Sequence, residues 1–143
     1  MIGNEFDKKL IILLENNAKQ SSYELSKILM VSPSTIRRRK RRLIESGVIR
    51  ETLSIDYNKL GISLVAHLAL NVDPEQLDSV WQALSRLSQV KRKSIVTGRY
   101  DILAMVRLKS ADNLLNFVQK HITKIKGIKN CESFISLRQE EEP

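Results

Sequence analysis

The 143-residue chain has one cysteine, two histidines and only seven Phe, Trp and Tyr residues. With Cys131 alone there is no intrachain disulfide and no thiolate cage for a metal. Cys131 reads instead as a small buried apolar group. His67 and His121 are too few for a histidine-rich metal site, so neither a metal nor another cofactor is expected. No apolar run approaches the ~20 residues that span a bilayer, and nothing resembles a signal peptide. The expectation is a soluble, cytoplasmic protein with no membrane partner. Low-complexity sequence is confined to a basic run, Arg37 to Arg42, and a short acidic tail, Glu140-Glu141-Glu142.

What the chain has in surplus is positive charge. It carries 24 Lys+Arg against 16 Asp+Glu, a net of +8, with a pI near 9.8. Residues 1–60 hold 12 basic against 7 acidic side chains, and residues 61–143 hold 12 against 9. Such a balance favours a polyanionic partner, although charge alone does not choose between nucleic acid and membrane.

The excess is densest in Ser32-Pro33-Ser34-Thr35-Ile36-Arg37-Arg38-Arg39-Lys40-Arg41-Arg42-Leu43-Ile44-Glu45-Ser46-Gly47. Ser32 suits an N-cap, Pro33 the first helical position, and Gly47 a left-handed stop. At ~100° per residue, Ile36 and Leu43 share one side, with Ile44 near them. Ser34, Arg38 and Arg41 project from the opposite side, flanked by Thr35, Arg37 and Arg42. Guanidinium forks and short hydroxyls opposite an apolar back suit a DNA major groove, where Arg bonds guanine edges and neutralises phosphates. A charge run can equally be a solvated face, so the context of this helix matters.

Two helices precede it. Asn4 caps one that runs to about Asn17, with Asp7 in its first turn and Phe6, Leu10, Leu13 and Leu14 as its stripe. Ser21-x-x-Glu24 is a capping box for a second through Leu29, with Leu25 and Ile28 turned inward. Met30 and Val31 make a tight connection to Ser32, which gives a helix-turn-helix whose last helix reads DNA. Val48 to Ile55 reads as a strand or wing, and Asp56 to Gly61 as a linker. The expected domains are 1–60 and 61–143.

In the second domain, Ile62 to Val72 alternates as a half-buried strand. Asp73-Pro74 caps a helix striped by Leu77, Val80, Trp81, Leu84 and Leu87. Strands from Val90 to Thr97 and Asp101 to Lys109 flank Gly98-Arg99-Tyr100. Ser110 opens a helix whose inward stripe is Leu114, Phe117, Val118, His121, Ile122 and Ile125. Gly127 ends it, and Ile128 to Leu137 is the last strand. The fold class is therefore α+β: a three-helix, winged helix-turn-helix followed by a ferredoxin-like βαββαβ domain. One sheet face has no helix to cover it and carries Val65 and Ala69, so a homodimer is expected.

An ordered set of short motifs resembles the Lrp/AsnC, or feast/famine, family of transcriptional regulators over essentially the whole chain. It includes Asp7-x-x-Leu10-Ile11-x-x-Leu14, Glu24-Leu25-Ser26, Val31-Ser32-Pro33, Thr35-Ile36-x-x-Arg39-x-x-x-Leu43 and Glu45-Ser46-Gly47-Val48-Ile49. Leu60-Gly61 and Thr97-Gly98-Arg99-Tyr100-Asp101 complete it. The resemblance implies a DNA-binding domain joined to one that senses amino acids or related metabolites, in dimers and higher oligomers such as octamers. It further implies that Thr97, Gly98, Arg99, Tyr100 and Asp101 line the effector site. Asp101 would take an α-ammonium, and backbone N–H groups a carboxylate. One departure stands out: Lys40 occupies a position where the family usually has an inward Val or Ile. Lys40 lies about 40° from Ile36, so its stem covers the core while its amine reaches water. Arg39 also points partly toward the core.

The expected function is sequence-specific binding of double-stranded DNA through Ser32, Ser34, Thr35, Arg37, Arg38, Arg41 and Arg42, modulated by a small effector. The alternatives are an architectural, chromatin-like DNA-binding protein, an enzyme resembling the siroheme decarboxylases that share this architecture, and an RNA binder. Few histidines and scattered aromatics weigh against a haem pocket. Strands 90–97 and 101–109 carry no aromatics between them for base stacking. No catalytic residue is assigned.

Overall fold

The computed structural model describes residues 3–140; Glu141 and Glu142 of the acidic tail lie outside them. The chain divides into two units, Met1–Ser54 and Ile55–Pro143. The first is helical: α1 (Glu5–Asn16), α2 (Ser22–Leu29) and α3 (Pro33–Glu45). Asn4 Oδ1 accepts from the Asp7 N–H, and Ser21 and Glu24 satisfy each other's backbone donors in a full capping box. Leu10, Leu14, Leu25, Ile36 and Leu43 close the core of this unit. Ile28 and Ile44 are on the surface, contrary to the inward positions expected for them. Leu29, one full turn after Leu25, packs against the core in place of Ile28.

Val48 to Ile55 forms no strand. A β-branched run acquires strand geometry only when another strand takes up its N–H and C=O groups, and no strand pair among the described residues includes it. A 3₁₀ turn, Tyr57–Leu60, follows.

The second unit contains β1 (Leu64–Val72), α4 (Leu77–Ser85), β2 (Val90–Ile95), β3 (Ile102–Leu108), α5 (Ala111–Phe117) and β4 (Ile128–Ile135). All strand pairs are antiparallel, in the order β2-β3-β1-β4. Alternation turns Ala66, Leu68, Leu70 and Val72 of β1 and Ile102, Ala104, Val106 and Leu108 of β3 to one face. There they meet Val80 and Leu84 of α4 and Leu114 and Phe117 of α5. Asp73 makes no side-chain cap; its carboxylate pairs with Lys129 at 3.1 Å, and a 3₁₀ turn over Pro74–Gln76 leads into α4.

His121 is exposed rather than inward. After Phe117 the chain winds through a π-helical turn, Val118–Ile122. The extra residue of that turn rotates His121 off the stripe and places fully buried Ile122 on it. The imidazole packs on Phe117 instead, 5.6 Å between ring centroids.

The helix-free face of the sheet is less open than its pattern suggests. Val65 and Ala69 are already buried within one chain. Arg107, the register partner of Val65, lies under the Tyr57 ring of the 3₁₀ turn, 4.8 Å from its centroid.

Candidate nucleic-acid interface and effector loop

Helix α3 begins with three hydroxyls bonded to one another. Ser32 Oγ accepts from the Thr35 N–H and lies 2.9 Å from both Ser34 Oγ and Thr35 Oγ1. Ile36 and Leu43 anchor the back of the helix at 0% and 1% exposure. With that face fixed, Arg37, Arg38, Arg41 and Arg42 all project into solvent, beside Ser34. Gly47, at φ +76°, donates to the Ile44 carbonyl and ends the helix.

The other two residues of the basic run turn away from this front. Arg39 reaches Asp7 of α1 at 3.6 Å and lies 5.6 Å from the Phe6 ring centroid. Asp7, which reads in the sequence as a first-turn acid, is 3% exposed. Its Oδ1 has no hydrogen bond among the described residues, so the Arg39 charge is what offsets its burial. Lys40 is half-buried, pairs with Glu51 at 3.2 Å and lines an open pocket with Leu14 and Ile49. The Lys40 amine thus leaves the core as its position on the helix requires.

Sequence reasoning missed Tyr23, Lys27 and Met30. Tyr23 and Lys27 form an exposed cation–π pair at 4.3 Å on α2. Met30 is 90% exposed in the turn before α3, with a left-handed backbone (φ 55°) that β-carbon sterics disfavour. The i,i+4 spacing of Tyr23 and Lys27 could have marked the pair, whereas no local pattern marks Met30.

In the second unit, residues 96–101 link β2 to β3. The Val96 N–H donates to the Asp101 carbonyl, and the Asp101 N–H to Leu70. Asp101 Oδ2 accepts from the Val72 N–H at 2.8 Å, so half of this carboxylate is already engaged. Asn71 Nδ2 donates to the Arg99 carbonyl at 2.7 Å, and Tyr100 Oη donates to Glu132 of β4. That hydrogen bond, then slight desolvation and the Glu132 charge, raise the Tyr100 pKa above 10. Burial likewise pushes the Cys131 thiol up. Gly98 has φ +111°, a conformation open to glycine. The backbone N–H groups of Thr97 to Tyr100 donate to nothing among the described residues. The loop therefore presents unused donors and one carboxylate oxygen, Asp101 Oδ1. No group of three or more His, Cys, Asp or Glu gathers among the described residues, and no helix there is long and apolar enough to cross a membrane.

Residues 4–50 match the family model of a winged helix-turn-helix DNA-binding domain, and residues 65–143 that of the Lrp/AsnC ligand binding domain. The chain belongs to the Lrp/AsnC family. It is 34% identical over 140 residues to the HTH-type transcriptional regulator FL11 of Pyrococcus horikoshii, covering 97% of this chain and 92% of the relative. The structure of AsnC from E. coli shares its fold, with a TM-score of 0.91 at 24% identity over 100% and 97% of the two chains. A transcriptional regulator from Neisseria meningitidis, in complex with L-Met, also shares it. That structure has a TM-score of 0.89 at 19% identity, over 98% and 93%. This Lrp/AsnC chain is accordingly a DNA-binding transcriptional regulator modulated by a small-molecule ligand, in a family of regulators rather than enzymes.

Proposed function

We propose that the regulator works as a homodimer or higher oligomer, such as an octamer, whose α3 helices enter successive major grooves. The observation that carries this reading is the division within the basic run. Arg37, Arg38, Arg41 and Arg42 face solvent while Arg39 and Lys40 are held by carboxylates. A helix so divided presents four guanidiniums on a rigid back, with Ser32, Ser34 and Thr35 at its start. The exposed α2 residues Tyr23 and Lys27 would lie near the phosphate backbone, which the first helix of such a motif crosses. The sequence boundary between residues 60 and 61 lies just after the division of the fold at Ser54 and Ile55, so the linker would belong with the second unit, and the protein would act in the cytoplasm, with its DNA.

Dimerisation would use the helix-free face of the sheet, where Leu103 and Phe134 remain 41% and 49% exposed around His67. The effector is an amino acid or related metabolite at Thr97, Gly98, Arg99, Tyr100 and Asp101. Its carboxylate would meet the unused N–H groups and its ammonium Asp101 Oδ1. The L-Met complex of the Neisseria relative supports that ligand class. Effector binding between dimers would alter their association, and with it DNA bending or occupancy.

Fluorescence anisotropy on the gene's own upstream DNA, against scrambled duplex across a salt series, tests the reading. Arg38→Ala or Arg41→Ala should cost ~1–3 kcal/mol of discrimination where the side chain reads a base. Where it meets only phosphate, the salt slope should shrink by about one. Unchanged affinity in both variants removes α3 from the groove. Equal binding to both duplexes supports the architectural alternative. An amino-acid pool that shifts binding to wild type should leave Asp101→Ala unmoved.

A further inference from the structure

The end of the sheet away from the effector loop gathers cations that neither DNA reading nor that loop uses. An open cleft of about 330 Å³ is lined by Lys91, Arg107 and Lys109, with the neutral donors Ser88 and Asn113 beside them. Its described lining includes no Asp or Glu. Lys91 is the extra residue of a β-bulge between the pairs Val90–Val106 and Arg92–Met105. Bulges re-aim side chains, and here Lys91 Nζ comes 5.1 Å from the Tyr57 ring centroid, the same ring that Arg107 packs on. Arg107 is 7% exposed, and its N–H donates to the Gln89 carbonyl. Arg107 therefore gives the cleft one fixed side, with exposed Lys91 and Lys109 beside it.

Lysines on an edge strand commonly guard against pairing with other chains, and exposed Arg92 suits that role. Lys91 and Lys109 are placed differently, converging on a concavity that focuses their field. Its volume is that of a small-metabolite site. From Ile102, beside the loop, to Leu108, beside the cleft, β3 spans about 20 Å, so one small ligand does not fill both places.

We propose that this cleft is a second small-molecule site, taking a compact, multiply charged oxyanion such as a phosphate ester or polycarboxylate. Lys91 and Lys109 are its charge partners, and Ser88 and Asn113 its neutral donors.

The test is calorimetric titration of the full chain with inorganic pyrophosphate and, separately, citrate, at ionic strength held constant with sodium chloride. Saturable binding is expected, weakened roughly tenfold or more in the Lys91→Gln/Lys109→Gln double variant. The Lys91→Arg/Lys109→Arg variant, which keeps the charge, should retain it and shows that any loss is not misfolding. A preference for pyrophosphate assigns phosphate chemistry, and one for citrate assigns carboxylates. Lysine acetylation read by mass spectrometry locates the site: ligand should protect Lys91 and Lys109 but not exposed Lys124. Anions drawn to α3 are separated by Arg38→Ala/Arg41→Ala, in which cleft binding should persist. Equal affinity in the Gln variant, or no protection of Lys91 and Lys109, overturns the proposal. So does lost DNA affinity in that variant without small-anion binding, which would make the cleft a phosphate-backbone surface.

Discussion

Helix α3 and the 96–101 loop are built in opposite ways. Every hydrogen bond that shapes α3 joins residues within a few positions: Ser32 to Thr35, Ser46 to Arg42, Gly47 to Ile44. The loop is held mainly by residues far away in sequence: Asn71 to Arg99, Val72 to Asp101, Glu132 to Tyr100. Helix α3, the proposed DNA-facing element, is thus a local structure that packing only orients. The loop's shape exists only once the sheet has formed. A DNA-reading surface gains from such local rigidity, because its arginines keep one spacing. The proposed sensing role would gain from long-range ties, because a ligand that altered one of them would act on strands β1 and β4 together.

If α3 owes its orientation to its back face, the largest effect should come from Leu43→Ala. The side chain is 1% exposed, and truncation should cost about 2–5 kcal/mol. A denaturant titration followed by helix signal would measure it. A cost below about 1 kcal/mol would mean α3 does not depend on that core. Arg39→Ala comes next, since it strands the buried Asp7 carboxylate. With Arg39 itself a quarter exposed, about 1–3 kcal/mol is expected. Adding Asp7→Asn should recover part of the loss, and no recovery would discard the ion pair as the cause.

Asp101→Ala probes the other half of the contrast. It removes the acceptor of the Val72 N–H, and water reaches this half-buried site, so about 1–2 kcal/mol is expected. Faster amide exchange should appear at Val72 and in residues 96–101 but not in α3. Exchange that quickens equally in α3 would break the distinction. Met30→Gly should stabilise the first unit by about 0.5–1 kcal/mol by relieving the left-handed backbone, read as a higher unfolding midpoint.

The smallest effect is on titration. A tyrosine whose pKa is raised in the fold is held neutral, so its contribution is complete below pH 10 and fades as pH climbs through the raised value. Phenolate absorbance should show a late-ionising phase from Tyr100 in wild type. In Glu132→Gln that late phase should move down. If it stays, the hydrogen bond is not its cause.

The sequence by itself determined what depends on near neighbours. Caps at Asn4, Ser21, Ser32 and Ser110, the stop at Gly47 and the alternation of β1 and β3 were all legible, because a cap or a period involves residues a turn or two apart. The order of elements then implied the βαββαβ topology. Tertiary structure alone decided the rest. Asp7 looked like a helix-end acid until packing set Arg39 against it. His121 looked inward until a π-helical turn shifted the register beneath it. Val48 to Ile55 had strand composition but enters no strand pair among the described residues. The ties of Arg99, Tyr100 and Asp101, and the meeting of Lys91 with Lys109, join positions well separated along the chain. Such pairings depend on which strands lie side by side, and no local pattern of residue types carries that information.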